Sequence, residues 1–251
     1  MLQQQLRQLN RLLFGPDGLD VSGKVLTSGT PWSLRRVVGV FLTGEILPFL
    51  ILGILYASAK LDVSFAVLIA AQPVTVLVVI WVLRPRRHVI FEDILPLDMS
   101  LTEIVRYAVV WGVGMRLVSV VIVLIQVQVG FWEDITNNPL LMVDDPLTLV
   151  EGIIIVIGAV ILVPIAEEVF YRGLLYRSLG RHLGLPVAAI ISTVVWTVLH
   201  GHPVLYPPIF VLGLGLVALY ESTGRLWAPV AAHIGFNLSS FVLLLLFPGL
   251  A

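Results

Sequence analysis

The chain has 251 residues, 58% of them hydrophobic and 12% charged, with a formal net charge of -1 and a mean hydropathy of +1.00. A soluble domain carries roughly 25% charged residues, so the solvent of a chain this long and this apolar is lipid. Cysteine is absent, which excludes disulfides and thiolate metal sites; the net charge says nothing useful about nucleic acid, which is not expected as a partner.

Residues 1–34 read as an N-terminal cytoplasmic or interfacial segment. In its first 14 residues Leu2, Leu6, Leu9 and Leu13 recur at helical spacing among polar neighbours. That pattern suits an amphipathic helix lying in the membrane interface, and suits a plain solvated lead-in equally well. No cleavable signal peptide is visible.

Seven apolar segments follow, at about 37–58, 63–83, 104–128, 147–176, 185–200, 207–222 and 227–248. The expected fold is therefore all-α, a polytopic transmembrane bundle of about seven to eight membrane helices. The fourth segment exceeds the ~20 residues a bilayer requires and is expected to tilt or protrude. The fifth is short and is expected to begin or end inside the protein. The Pro/Arg loop from Arg84 to Leu101 separates the first two helices from the rest. Residues 35–146 are expected to form the front transmembrane helices, and 147–251 a second transmembrane section.

Basic residues set the orientation. Arg7, Arg11, Lys24, Arg35 and Arg36 precede the first span; Arg84, Arg86 and Arg87 follow the second; Arg172, Arg177 and Arg181 end the fourth; Arg225 precedes the last. With seven spans all fall on one face, which the positive-inside rule places in the cytoplasm together with the N-terminus. The opposite loops hold Lys60 and the acidic stretch with Glu133, Asp134, Asp144 and Asp145.

Ionisable groups inside membrane helices are costly and rarely idle. Glu167 and Glu168 end a long apolar run, and His200, His233 and Asn237 lie in two later spans. Several protease chemistries are absent. There is no HExxH zinc motif, no aspartate lies in an apolar span, and the serines followed by glycine, Ser22 and Ser28, sit in the polar N-terminal section. Glutamate, histidine and asparagine remain. Glu168 and Arg172 stand at i,i+4 in the favourable order, so Arg172 is expected to neutralise and orient Glu168. Glu167 points about 100° away and keeps other partners. His233 and Asn237 share a helix face, extended by Ser240, and could donate together to one oxygen, as an oxyanion hole requires. Counted along the helices, His200 comes out deeper than Glu167 and His233.

These residues resemble a known family. EEVFYR (Glu167 to Arg172) is similar to the EExxxR motif of the CAAX protease and bacteriocin-processing (CPBP, or Abi) membrane proteins, which include the type II CAAX prenyl endopeptidases. WTVLH (Trp196 to His200) resembles the second motif, FxxxH, with Trp in place of Phe; HIGFN (His233 to Asn237) resembles the third, HxxxN. The likeness covers roughly residues 147–248 and implies that 147–251 are the catalytic transmembrane core. It implies a membrane-embedded endopeptidase that cleaves near a substrate C-terminus from the cytoplasmic side. Glu167 would activate water with His200 assisting, His233 and Asn237 would hold the oxyanion, Glu168 would support the site and Arg172 order it. Trp196 changes ring size at a packing position and is expected to affect substrate or helix fit, not the chemistry. A metal-free mechanism is preferred. Zinc held by Glu167, His200 and His233 with an open position for water is the alternative.

Other polar positions carry plainer expectations: a buried ion pair between Glu45 and Arg116, a loop position for His202, a surface position for His182, and close helix packing at Gly213 and Gly215. The rival functions are a proton-relaying transporter, which should show paired repeats and broken helices, and a non-catalytic scaffold or bacteriocin-immunity protein. The expected partners are a protein or peptide substrate, prenylated or not, and membrane lipid. The expected location is a prokaryotic plasma membrane.

Overall fold

A computed structural model describes residues 2–14, 18–19, 25, 30, 32–48, 50–51, 54, 65–84, 99–131 and 149–246. Eight helices and no strands occur among them. Helix α1 is Leu2–Phe14. Helix α2 runs through Leu34–Val40 and a wider, π-type stretch Phe41–Ile46; α3 is Phe65–Leu83. Helix α4 is Leu101–Gln128, begun by a capping box in which Ser100 and Glu103 satisfy each other's backbone N–H. Helix α5 starts with Leu149–Val156 and ends with Arg177–Leu183. Helix α6 is Leu185–Val198, α7 Tyr206–Thr223 and α8 Trp227–Leu246.

Three stretches are each long and apolar enough to cross a membrane: Leu101–Gln128, Gly152–Leu183 and Pro203–Thr223. Shorter apolar helices cover Ala70–Leu83 and Leu185–Val198. The chain is an integral membrane protein by this measure. The outer faces agree, with Leu117, Val121, Leu124 and Ile125 of α4 and Val74 and Val78 of α3 exposed, as lipid contact requires. The first expected span, 37–58, is described only in part; the acidic loop at 131–146 and the arginines at 86 and 87 lie almost wholly outside the described residues.

Small residues let the helices approach. A Cβ at Gly235 of α8 would fall on the Ala108 carbonyl of α4, and one at Gly112 would meet the Gly235 backbone at 2.6 Å. This is the close crossing that small residues permit in membranes. Gly213 is equally restricted, by Thr193 and Trp196, and Gly215 faces Met115. The core formed between the helices runs from Val37 and Val40 of α2 through Phe170 and Leu174 of α5 to Leu216 of α7 and Val230 of α8.

One end of the bundle is polar and gathers the basic residues. Arg225 pairs with Glu103 at 3.1 Å, Arg181 donates to the Thr30 carbonyl, and Ser178 to that of Trp32. Arg35 and Arg36 share a recess with Ser33, Gly39 and Leu83 at the end of α3. Beneath them lies the buried carboxylate of Glu221, which accepts from Tyr176 Oη at 2.8 Å and from the Val25 backbone at 3.2 Å. The N-terminal segment is thereby tied to the ends of α5 and α7.

Helix α5 is not uniform. Pro164 cannot donate, and its ring would crowd the carbonyl four residues back in a regular helix. A π-type stretch, Ile157–Leu162, immediately precedes its turn and gives that room. A second, nine-residue π-type stretch, Glu168–Tyr176, follows. Such widened turns are frequent at functional sites.

The expected ion pair between Glu45 and Arg116 is not formed. Glu45 accepts from Gln72 of α3. Arg116 donates to Ser240 and to the Phe236 carbonyl of α8 and lies 3.7 Å over the Phe236 ring. Both groups sit in helices whose apolar pattern leaves rotation open. Glu45 turns to α3 and Arg116 to α8, so two neutral neighbours replace the mutual pairing.

Candidate active site

Four helices bring the predicted polar residues of α5, α6 and α8 together, with α7 closing the back. Glu168 is fully buried and Arg172 is 1% exposed. Arg172 Nη1 meets Glu168 Oε1 at 2.8 Å, the i,i+4 contact expected along α5. Its Nη2 donates to the Gly213 carbonyl of α7 at 3.2 Å. The same Oε1 of Glu168 lies 3.0 Å from His233 Nδ1. A carboxylate paired with Arg172 is an acceptor only, so Nδ1 carries the hydrogen in this contact.

That leaves His233 Nε2 facing outward into the site, 3.8 Å from Glu167 Oε2. One buried imidazole thus stands between two adjacent glutamates, one at each nitrogen. The glutamates differ in setting: Glu167 retains 17% exposure, whereas Glu168 has none. Glu167 can meet a small molecule entering from solvent or substrate. Glu168 is committed to holding Arg172 and His233.

Trp196 of α6 is the residue whose importance the sequence did not reveal. Its indole Nε1 donates to Glu167 Oε2 at 2.8 Å. Its ring meets His200 edge-on at 5.0 Å and His233 edge-on at 5.5 Å, and the Arg172 guanidinium lies 4.5 Å over it. The expected effect on substrate or helix fit does not include this bond: a phenyl ring has no N–H to give Glu167. The available signal was a polar-edged aromatic inside an apolar helix, since a buried indole N–H needs an acceptor.

His200 stands just beyond the end of α6, half-buried, with Nδ1 2.9 Å from the Trp196 carbonyl. A carbonyl oxygen requires a donor, so Nδ1 bears the hydrogen and Nε2 presents a lone pair. The depth mismatch expected between His200 and Glu167 disappears because α5 continues to Leu183. Glu167 lies 16 residues before that end and His200 15 after the start of α6 at Leu185, about 24 and 22 Å along the two helices.

Asn237 lies one turn beyond His233 on α8. Its Nδ2 donates to the Ala159 carbonyl at 2.9 Å, in the first π-type stretch of α5. An amide nitrogen has two hydrogens, so one remains. Ser240 turns to Arg116 instead of extending the site.

The donor set bears on the zinc alternative. Among the described residues no three His, Asp or Glu side chains form a group that could hold a metal ion. His200 and His233 each meet the Trp196 ring edge-on, and both nitrogens of His233 face carboxylates. Glu167, His200 and His233 do not form such a group in this arrangement.

His182 is exposed and His202 lies in the short loop after α6, both at the kind of position expected. Neither joins the site.

Comparison with known proteins agrees with the motifs. Residues 149–239 match the family model described as type II CAAX prenyl endopeptidase Rce1-like. The chain is also similar to the "Putative membrane peptidase YdiL" of Bacillus subtilis (strain 168), 30% identical over 87 residues, which are 34% of each chain. The matched part thus spans about a third of that relative's length. No solved structure matches. The matched residues are those that carry all three motifs, which bears out the resemblance drawn from them.

Proposed function

We propose that this protein is an intramembrane endopeptidase that hydrolyses a peptide bond near the C-terminus of a protein or peptide, using water activated by Glu167. The observation that carries the reading is the pair of adjacent glutamates on the two nitrogens of His233, one buried and one accessible. Such an arrangement separates a structural carboxylate from a reactive one.

In the proposed reaction Glu167 takes a proton from water as the water oxygen attacks the scissile carbonyl carbon. The carbonyl oxygen becomes an oxyanion. The remaining Asn237 N–H stabilises it, joined by the Nε2–H of His233 when the ring carries a proton on each nitrogen, and a single such donor typically contributes about 10²–10³ in rate. His200 Nε2 accepts from the second hydrogen of the water and orients it. Collapse of the tetrahedral intermediate breaks the C–N bond, and the proton held by Glu167 passes to the leaving nitrogen. A new carboxylate and a new amine result. Glu168, itself held by Arg172, binds Nδ1–H and fixes the His233 ring with Nε2 turned to the site.

The proposed orientation puts the basic end of the bundle in the cytoplasm, in a prokaryotic plasma membrane. A prenylated CAAX protein and an unmodified peptide are both substrates of this class. No metal is assigned a step.

The test uses detergent-purified protein, a quenched farnesylated CAAX peptide, an unmodified peptide of the same sequence, and Glu167→Ala. Cleavage that survives chelation and disappears in Glu167→Ala is expected. Cleavage abolished by chelator and restored by zinc overturns the metal-free mechanism. Preference between the two peptides decides whether the lipid is recognised. Turnover of neither, with the fold intact, favours the scaffold reading.

A further inference from the structure

We infer that Trp196 is a positioning residue for Glu167: its indole N–H fixes Oε2 and so reserves Oε1 as the oxygen that receives the proton of the attacking water. The kinetic part of this inference rests on the proposed peptidase reading; the hydrogen bond does not.

The two oxygens of Glu167 have unlike surroundings. Oε2 accepts the Trp196 N–H at 2.8 Å and faces His233 Nε2 at 3.8 Å. Oε1 has neither contact among the described residues, and the side chain retains its exposure. The terminal torsion of a glutamate is broad and roughly two-fold, so an unrestrained carboxylate presents either oxygen to water at random. A single short hydrogen bond from a fixed donor removes that choice.

Trp196 is well suited to be that fixed donor. It is 1% exposed and enclosed on several sides. Arg172 covers one face, the two histidines meet its ring edge-on, and Gly213 of α7 approaches so closely that a Cβ there would lie 3.0 Å from the ring. Tyr171 adds a tilted contact at 6.5 Å. The ring therefore cannot turn without disturbing three helices. The indole is a donor only. It holds the carboxylate without competing for the proton that Glu167 must accept and return. A hydrogen bond to an ionised acceptor in a water-poor site is stronger than one between neutral groups.

The group also links the three motifs. Trp196 belongs to the second, bonds to a residue of the first, and stacks against the histidine of the third. Phenylalanine at this position would keep the stacking and lose the bond, so this chain orients its glutamate by a device that the usual form of the motif lacks.

The test separates the N–H from the ring. Trp196→Phe removes donor and volume together. Replacing Trp196 by benzothienylalanine, which has the indole's shape with sulfur in place of N–H, removes the donor alone. The expected result for the isostere is a kcat lower by about tenfold to a hundredfold, the usual value of a hydrogen bond to a charged group, with KM within about twofold and an unchanged thermal midpoint. An unchanged kcat overturns the inference, as does a loss of kcat matched by a loss of stability. A second measurement needs no turnover. Of the six indole N–H signals expected from six tryptophans, Trp196→Phe removes and so assigns one. Glu167→Ala should move that signal upfield and hasten its exchange. If it does not move, the hydrogen bond is absent and the inference fails whatever the peptidase assay shows. If it moves and no peptide is cleaved, the peptidase reading alone has failed.

Discussion

Arg172 has a different partner in each direction: Glu168 through Nη1, the Gly213 carbonyl through Nη2, and the face of Trp196 beneath its guanidinium. Both charges of the pair are out of water, so removing one leaves the other stranded. Arg172→Leu is expected to cost about 3–5 kcal/mol, read as a lower midpoint of unfolding in detergent. The double change Glu168→Leu with Arg172→Leu should cost less than the single one. If the double variant is the less stable, the pair is not the reason Arg172 matters. The i,i+4 contact was legible in sequence because a helical turn fixes it. The indole bond was not, because it joins residues 29 apart through the rotation of α6. Asn237 makes a sharper catalytic prediction. Asn237→Leu should lower kcat by about 10²–10³ with little change in KM, as loss of an oxyanion donor does. An increase in KM alone would assign Asn237 to substrate binding.

At the scale of elements, the contact between α4 and α8 decides where His233 and Asn237 stand. It depends on Gly112 and Gly235, whose backbones meet. Gly235→Val is expected to push the helices apart, lower the unfolding midpoint and abolish activity together, since a Cβ there falls on a backbone atom that cannot yield. Gly114→Ala is the control. Nothing among the described residues lies within 4 Å of its added Cβ, and alanine is favoured over glycine in a helix by about 1 kcal/mol. That variant should be at least as stable as the parent, measured by the same melt. The sequence indicated small residues at helix contacts through Gly213 and Gly215. It did not indicate the crossing at Gly235, because one small residue in HIGFN carries no mark of which helix it touches. The widened turns of α5 were equally invisible. They shift the helix phase by a fraction of a turn, which a periodicity of apolar residues does not resolve.

For the whole molecule the question is which end faces the cytoplasm. The basic residues that the sequence placed on one face gather at one end of the bundle, around Arg35, Arg36, Arg181 and Arg225. The chain has no cysteine, so single-cysteine variants report sidedness without background. In intact cells, a maleimide that cannot cross membranes should label Val129→Cys, at the opposite end of α4, and should reach Arg35→Cys only after permeabilisation. The reverse pattern would invert the proposed topology. The Glu221 clasp on Tyr176 and Val25 belongs to the same scale. It joins positions as far as 196 residues apart, so no local pattern announces it.

The sequence alone determined the solvent, the all-helical class, the positions of the apolar spans, the segregation of basic residues and the three motifs. Each follows from composition, from a period of 3.6 residues, or from residues close together in the chain. Tertiary structure decided which polar groups meet across helices. It put Glu167 and Glu168 on opposite nitrogens of His233, brought His200 level with Glu167 by extending α5, separated Glu45 from Arg116, and turned Trp196 from a packing residue into a hydrogen-bond donor. The reason is geometric. An apolar helix has nearly the same lipid affinity at every rotation and at small changes of depth. Its rotation and depth, and hence the partners of its few polar groups, are settled only when it packs against its neighbours.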